Sequence, residues 1–332
     1  MPAFLAKRLS SMVVILLVLA GVVFVLQQVT PTDPVHVKLG ANASKEQIAA
    51  ETHRLGYDKP LAEQYVNYVK DLVHGDLQES LRTRRPVTKD LGAYLPATLE
   101  LALFGLGLAA ILGTALGLLT AARTRGSGVL RVVMVAGASA PPFLLALVGI
   151  LLFYRRLGWL PATGRTEFRN APDSPTGLLT IDSLLAGRFD VFTDAVKHLI
   201  LPGMCVAILP AVSIGRVLRS SLVTTLRTDH VRTARAKGLK ERTVLLRHAL
   251  RNSAGPALSM GGLQVGLMFA GVVVIEQIFA WPGIGLYTVQ SIPRSDFPAI
   301  AGVTLVLGAA YVIVNAVVDI LQAAADPRIA VT

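Results

Sequence analysis

The chain has 332 residues, of which 53% are hydrophobic and only 16% are charged. An average soluble domain is about 45–50% apolar and about 25% charged, so the composition argues against a soluble globular enzyme. The apolar excess also excludes a disordered chain, and the absence of a glycine period excludes a collagen-like one. Because Cys205 is the single cysteine, no intrachain disulfide is possible.

Six uncharged runs are long enough to be transmembrane helices, because a bilayer core needs about 20 mainly apolar residues. The runs are 9–32, 101–122, 132–154, 198–215, 252–275 and 297–318. The first run outlasts the apolar core of a signal peptide, about 7–15 residues, so we expect a retained helix. The fourth is short and contains Pro202 and Pro210. A full span is favoured there over a re-entrant or interfacial helix, since neighbouring helices can satisfy the freed carbonyls.

Two of these runs contain glycines spaced for close helix packing. Gly113 and Gly117 form a G-x-x-x-G pair in the second run, and Gly262 and Gly266 form another in the fifth. Such pairs let two helix backbones approach closely. We expect them to pack within this chain rather than against another subunit.

Positive charge is concentrated in alternate connecting segments. Residues 1–8, 123–131 and 216–251 are basic, and the last of these carries ten Lys/Arg against two acidic residues. Residues 33–90 hold nine basic and nine acidic residues, and 155–197 hold six and five. The positive-inside rule therefore predicts cytoplasmic termini and cytoplasmic links at 123–131 and 216–251. This topology explains the net charge of +11 without a nucleic-acid partner.

The segment 33–95 is predicted to carry two amphipathic helices on the external face. The run Ser44 to Gln47 is a capping box before the first helix, and the second covers residues 61–73. These helices either cap the bundle or contact a delivery protein, and the sequence favours neither. The other external segment, 155–197, is predicted to be an irregular loop with Trp159 near the lipid headgroups.

The basic link 216–251 is predicted to carry a short helix that docks on another protein. The helix begins at Asp229, and Gly238 ends it as a left-handed residue, which places Leu239 for an apolar contact with Ala234. A second amphipathic helix, about 241–251, returns to the membrane. Small residues favour insertion into a partner's groove over a solvated loop; they are Thr233, Ala234 and Ala236.

No sequence pattern of a catalytic, metal or nucleotide site is present. The chain has no G-x-x-x-x-G-K-[ST] loop, no H-E-x-x-H, no Cys/His cluster and no G-x-S-x-G elbow, so we predict no catalytic residue, metal or cofactor. Ionisable residues lie only at span ends, including Glu100 and Glu276, whereas an ion-coupled carrier should bury carboxylates in its spans. We expect Glu276 to pair with Arg155 or Arg156. These features predict a pore subunit driven by another protein, with a stand-alone secondary carrier or channel as the alternative and an intramembrane enzyme as a distant third.

Residues 228–256 resemble the coupling loop of bacterial ABC-importer permeases, most closely those of the dipeptide/oligopeptide permease family. The run from Arg232 to Gly238 matches this family's variant of the E-A-A-x-x-x-G signature, although His230 stands where Tyr is usual. Further matches follow the family's order and spacing along nearly the whole chain: Pro31–Pro34, Leu55–Leu61, Gln64–Tyr65, Gly75–Leu77, Leu95–Leu99, Glu276–Phe279, Pro282–Gly285, Asp296–Pro298 and Asp326–Arg328.

The resemblance implies an all-α integral membrane protein with six transmembrane helices, both termini cytoplasmic, and a bundle like that of type I ABC-importer permeases. Residues 1–95 would form the first transmembrane helix and the long extracytoplasmic segment. Residues 96–332 would form a five-helix permease core with the coupling loop 216–251. The location would be the inner, cytoplasmic membrane, with several passes.

The family also implies partners and a cargo. The chain would work with a second homologous permease, two ABC ATPase subunits and an extracytoplasmic solute-binding protein, and would itself be non-catalytic. The cargo would be di- or oligopeptides, with nickel, glutathione or glycosides as alternatives. The implied ATPase-docking residues are Asp229, His230, Arg232, Thr233, Ala234, Arg235, Ala236, Lys237 and Gly238. An extracytoplasmic gate or packing site is expected at Glu276, Pro282, Gly283 and Gly285.

Overall fold

The computed structural model of the protein describes residues 2–29, 39, 43–121, 127–170, 172 and 175–325. Most of these residues are helical and none of them forms a β-strand, which confirms the all-α prediction for this part of the chain. The sequence matches at Pro31–Pro34 and Asp326–Arg328 lie outside the described residues.

The helices are named here in chain order. They are α1 (Pro2–Val29), α2 (Lys45–Leu55), α3 (Leu61–Val73), α4 (Val87–Ala121), α5 (Ser127–Ser139), α6 (Pro142–Gly149), α7 (Leu179–Leu185), α8 (Phe189–Thr225), α9 (Asp229–Ala236), α10 (Leu250–Ile278), α11 (Ile284–Ser291) and α12 (Phe297–Ala325). A π-helical segment, Ile150–Arg156, continues α6. A helical turn, Glu241–Thr243, and a second π-helical segment, Val244–Ala249, lead into α10.

Five helices in the described residues are long and apolar enough to cross a membrane. Four of them lie in α1, α4, α8 and α12, and the fifth runs from Glu241 to Ile278. A sixth span is obtained only if the bent pair α5 and α6 is counted as one. The structure therefore supports a multi-pass membrane protein with five to six candidate spans.

The bend between α5 and α6 was not predicted from the uncharged run 132–154. Pro141 adopts an extended conformation, and α6 begins with Pro142. A proline has no N–H to donate and forces the residue before it out of the helical region. Two consecutive prolines therefore end α5 inside a run that is apolar throughout.

The fourth uncharged run lies in α8, which is one continuous helix of 37 residues despite Pro202 and Pro210. Of the candidate spans, α8 is the most deeply buried. Its length and composition suit a full span, which is the alternative that the sequence favoured.

By their internal packing the residues form two units, 1–95 with 286–312 and 96–285 with 313–332. In the second unit α8 packs against α4 and most extensively against α10. A Cβ added to Gly113 would lie 2.9 Å from the carbonyl oxygen of Ala211, and one added to Gly117 would lie 2.9 Å from the side chain of Leu218. The close approach of α4 and α8 confirms packing within the chain for this glycine pair.

In the first unit the amphipathic helix α3 has the predicted bounds, and α2 begins after Ser44 as predicted. The capping box of α2 is formed, because Ser44 Oγ accepts from the Gln47 N–H at 3.2 Å and Gln47 Oε1 accepts from the Ser44 N–H at 2.9 Å. Helix α3 lies against α1, where the Tyr65 hydroxyl donates to the carbonyl oxygen of Leu17 at 2.8 Å. The ring of Phe24 in α1 also packs against Tyr65.

The segment 155–197 is only partly the irregular loop that was expected. It contains α7 and the start of α8, which pack together through Leu179, Val191 and Ala195. The preceding residues are irregular, and Trp159 is 66% exposed. The three apolar residues explain the additional helix, because a helix in this segment buries them together.

Candidate functional site

The basic link contains the short helix that the sequence predicted, and it is α9. Thr228 precedes it in an extended conformation, and Asp229 occupies its first turn. The Thr228 hydroxyl donates to the carbonyl oxygen of Thr225 at 2.6 Å, so it does not cap the N–H groups of α9. Asp229 is exposed near these N–H groups, where a negative charge is favoured.

The end of α9 is a complete Schellman motif. The N–H of Gly238 donates to the carbonyl oxygen of Arg235 at 2.9 Å, and the N–H of Leu239 donates to that of Ala234 at 3.3 Å. Gly238 has a φ of +76°, as predicted, and a Cβ there would meet no atom within 4 Å. Backbone conformation alone, rather than lack of space, therefore makes glycine suitable. The side chain of Leu239 is exposed.

The orientation of α9 corrects one predicted docking residue. Ala234 is 6% exposed and packs with Val231 and Val244 of its own chain, so the prediction that it lies on the docking face was wrong. The spacing of Val231 and Ala234 makes one apolar stripe, and this stripe faces the π-helical segment before α10. The exposed residues of the predicted set are Asp229, His230, Arg232, Thr233, Arg235, Ala236, Lys237 and Gly238.

Polar contacts join α9 to the segment that follows it and to α10. Arg235 donates to Glu241 through Nε at 3.1 Å and Nη2 at 2.5 Å, and this hydrogen bonding holds the pKa of the guanidinium above its usual value. His230 Nε2 lies 3.2 Å from the Asn252 side-chain amide in α10. These contacts connect α9 to the turn at Glu241 and to the start of α10.

The end of α8 is tied to the start of α10 in the same region. The Ser253 hydroxyl donates to the Thr225 hydroxyl oxygen at 2.9 Å, and Ser253 is fully buried. The predicted second helix of the link is continuous with α10 rather than separate from it, and its π-helical segment holds Val244 against α9. Such π-helical insertions are frequent at functional sites.

Residues 276–285, named here the Glu276 turn, connect α10 to α11. The Glu276 side chain is fully buried, and its carboxylate accepts from the Thr98 hydroxyl at 2.6 Å and from the Gly285 N–H at 2.7 Å. The Thr98 hydroxyl oxygen in turn accepts from the Ile284 N–H at 2.8 Å. The turn is therefore joined to α4 by a chain of hydrogen bonds.

The structure brings the predicted gate or packing residues together in this turn. A Cβ on Gly283 would lie 2.1 Å from Glu276 Oε1, and a Cβ on Gly285 would lie 2.6 Å from the Cα of Val273. Pro282 lies beside them in the chain and is partly exposed. Glycine is needed at 283 because the buried carboxylate occupies the space that a side chain would take, and at 285 because the backbone of α10 lies there as well.

The expected ion pair between Glu276 and Arg155 or Arg156 was wrong. Both arginines are exposed at the end of the π-helical segment that follows α6. The carboxylate is bonded instead to the neutral donors of Thr98 and Gly285, which its own turn and α4 place beside it. A buried carboxylate needs hydrogen-bond donors, and these need not be charged.

A second buried carboxylate, Glu100 in α4, anchors the loop that precedes α7. It forms an ion pair with Arg165 and accepts from the N–H and hydroxyl of Thr180 at 2.7 and 2.6 Å. The Arg165 guanidinium also lies 5.7 Å from the ring centroid of Trp281, whose indole N–H donates to the carbonyl oxygen of Ala97 at 2.8 Å. The sequence marked Glu100 as a span-end carboxylate, but nothing in it singled out Thr98, Arg165 or Trp281.

Comparison with known proteins decides the family. Residues 113–331 match the family described as "Binding-protein-dependent transport system inner membrane component", and residues 1–102 match the family that describes the N-terminal part of such components. This chain belongs to that family. It is thus a membrane component of a transport system that works with a binding protein, and the resemblance seen in its sequence motifs is confirmed.

Three relatives align with almost the whole of this chain. It is 42% identical to the di/tripeptide transport system permease protein DppB of Pseudomonas aeruginosa, over 99% of each chain. It is 38% identical to the dipeptide transport system permease protein DppB of Alkalihalophilus pseudofirmus, also over 99% of each. It is 40% identical to the probable D,D-dipeptide transport system permease protein DdpB of Escherichia coli, over 98% of this chain and 97% of the relative.

Proposed function

We propose that this inner-membrane component is the permease subunit of an ATP-driven importer of di- or oligopeptides and forms half of the translocation path. The observation that carries the proposal is the similarity, end to end, to three permeases whose names specify dipeptides or tripeptides. Nickel, glutathione and glycosides are cargoes of related systems, and the names of these relatives favour peptides over them. A stand-alone carrier is disfavoured by membership of a binding-protein-dependent family.

The proposed topology has six spans with both termini in the cytoplasm. In this topology α5 and α6 together make the third span, and the link that contains α9 is cytoplasmic. The basic composition of 216–251 supports this orientation. Residues 1–95 would then supply the first span and the extracytoplasmic segment, and residues 96–332 the permease core.

We further propose that α9 docks on one of two ABC ATPase subunits, while a second permease completes the path. The exposed side of α9 carries Arg232, Thr233 and Ala236, and its other side is fixed against Val244. A helix held in this way presents one constant surface to a partner. Neither docking nor ATP hydrolysis needs a catalytic group in this chain.

The contacts around α9 suggest how the ATPase would act on the path. ATP closes the ATPase dimer, the docked α9 moves with it, and the contacts to Asn252 and Glu241 carry the displacement into α10. At the other end of α10, the Glu276 turn joins this helix to α4 through Thr98. The proposed external gate is this turn, which would move as a unit because its polar atoms are bonded to one another.

Growth of an amino-acid auxotroph tests the cargo. A strain that lacks this gene should grow on the free amino acid but not on a dipeptide that contains it, and the restored gene should return growth on the dipeptide. Unchanged growth on the dipeptide, with a loss of nickel, glutathione or glycoside uptake instead, would overturn the peptide assignment.

A further inference from the structure

A cavity of about 560 Å³ with both polar and apolar walls lies in the first unit, outside the site described above. Its walls are the end of α1, the facing sides of α2 and α3, and the segment 76–86. Small-molecule sites in proteins have volumes of about 300–1,000 Å³, so the space suits a small ligand. The lining contains basic, acidic and amide side chains, among them Arg54, Arg84, Asp71, Asp76, Glu79 and Asn67.

One wall of the cavity is held in place by a buried carboxylate. Asp296, which is fully buried at the start of α12, accepts from the N–H groups of Leu81 and Arg82 at 3.0 Å each. The Ser80 hydroxyl donates to the same carboxylate, and the N–H of Arg84 donates to the carbonyl oxygen of Ser80 at 3.0 Å. The backbone that presents Arg84 is therefore fixed.

The opposite wall is fixed by contacts between α1 and α3. Gln28 donates to the Gln64 side chain at 2.9 Å, and Gln64 donates to the carbonyl oxygens of Tyr57 and Lys59. These amides are occupied, and so is Arg54, which pairs with Glu51. These side chains line the cavity, but their polar groups are already bonded within the protein.

Other polar groups in the lining have no partner among the described residues. The Tyr68 hydroxyl is buried without a hydrogen bond, and its burial raises the pKa of Tyr68 to about 12, so it remains a donor. Within the described part of the chain no side-chain hydrogen bond or ion pair involves Asn67, Asp71, Glu79 or Arg84. A buried hydroxyl without a partner costs free energy, which a bound ligand would recover.

Arg84 has a second unusual feature, because its φ is +56°. A left-handed conformation is uncommon for residues other than Gly, Asn and Asp, and it persists only where the surroundings impose it. The bond from the Arg84 N–H to the Ser80 carbonyl oxygen holds it here, in a segment that Asp296 fixes through other residues. The guanidinium has no ion pair among the described residues. A glycine or asparagine would suit this backbone better, so the arginine is explained by its charge.

We propose that this cavity binds a short peptide with free termini. Arg84 binds the carboxylate, Asp71 and Glu79 bind the ammonium group, and Asn67 and Tyr68 bind the peptide bond. Both charges together with the Asn67 amide and the Tyr68 hydroxyl distinguish such a site from a simple anion or cation site. The proposal rests on the proposed function in one respect: it takes short peptides as the molecules delivered to this face of the membrane.

The test uses the assembled transporter in lipid nanodiscs, without binding protein and without ATP. Radiolabelled dialanine is the probe, and N-acetyl-dialanine amide, which lacks both charged termini, is the competitor. We expect saturable dialanine binding that the capped peptide does not displace. Arg84→Asn, which suits the left-handed backbone, and Asp71→Asn should each weaken binding at least about tenfold, as loss of a charge-assisted hydrogen bond does. Arg84→Lys should retain part of the affinity.

Lys89→Asn and Lys70→Asn are matched controls, since both lysines are exposed and neither lines the cavity. They should leave the affinity unchanged. Absence of saturable binding, equal affinity in Arg84→Asn or Asp71→Asn, or equal competition by the capped peptide would overturn the proposal. Growth of the auxotroph on the dipeptide tests peptide import separately from binding in this cavity. If the cell still requires this gene for growth on the dipeptide but the transporter does not bind dialanine, the proposed site is wrong and the proposed function stands.

Discussion

The Thr98 hydroxyl donates to the carboxylate of Glu276 at 2.6 Å, and both side chains are at most 1% exposed. The two residues are 178 positions apart in sequence. Their bond joins α4 to the turn that follows α10, at the residues proposed to form the external gate. Because the carboxylate is fully buried, the hydrogen-bond donors that reach it must offset the free-energy cost of its burial.

Removal of this hydroxyl should destabilise the protein. Thr98→Val preserves the shape of the side chain but leaves both the carboxylate and the Ile284 N–H without this partner, at a cost of about 1–3 kcal/mol. Thr98→Ser keeps the hydroxyl and should lie much closer to wild type. Thermal unfolding in detergent measures both, and equal midpoints for the Val and Ser variants would contradict this role of the bond.

A single methyl group should disrupt the Glu276 turn. Gly283→Ala would place its Cβ 2.1 Å from Glu276 Oε1, so either the turn or the carboxylate must move. We expect a lower unfolding midpoint and loss of transport. Gly271→Ala is the control, because a Cβ there meets nothing within 4 Å and alanine is favoured over glycine in a helix by about 0.5–1 kcal/mol. If the Gly283→Ala protein is as stable as the control, the turn tolerates the added methyl group and the expectation is wrong.

Two substitutions in α9, one on its exposed side and one on its buried side, should distinguish an effect on docking from an effect on folding. Ala236 is exposed, so Ala236→Glu should leave the unfolding midpoint near that of wild type but weaken binding of the ATPase subunits. Ala234→Glu would bury a charge against Val231 and Val244 and should lower the midpoint itself. Co-purification with the ATPase subunits, measured beside thermal unfolding, distinguishes the two. Undiminished co-purification of Ala236→Glu would argue against docking through this surface.

Backbone conformation predicts the behaviour of Gly238. At a φ of +76°, a non-glycine residue costs about 1 kcal/mol, and a β-branched one costs more. Gly238→Val should therefore unwind the end of α9 and lower the peptide imported per ATP hydrolysed, whereas Gly238→Asn should retain most of it. Coupling ratios from reconstituted transporter measure this effect. Identical ratios for the two variants would contradict it.

Labelling of single cysteines tests the topology. Cys205 is buried, so Cys205→Ser provides a background in which Lys70→Cys or Arg242→Cys is the single accessible thiol. On intact cells an impermeant maleimide should label the cysteine at position 70 and not the one at position 242. The reverse pattern would invert the proposed orientation.

Features that depend on neighbouring residues were predictable from the sequence. The capping box at Ser44, the bounds of α3 and the left-handed Gly238 follow from short-range patterns, and the structure contains all of them. The family was also recognisable, because the motifs occur in a fixed order along most of the chain. Such features need no knowledge of which helices are neighbours.

Features that depend on contacts between distant segments were not predictable. The partner of Glu276 is Thr98, and depth in the membrane wrongly suggested Arg155 or Arg156. The buried side of α9 is set by Val244, which lies beyond the end of that helix. The break at Pro141 is different, because it follows from two adjacent prolines and needs no distant contact.

We propose that this chain couples ATP hydrolysis to peptide import as one half of a permease. Dialanine accumulation tests this role in proteoliposomes that contain this chain, a second homologous permease, the ATPase subunits and the binding protein. We predict accumulation that requires ATP and every one of these subunits and that fails in Ala236→Glu. Accumulation that continues without the ATPase subunits, or without this chain, would contradict this role of the chain.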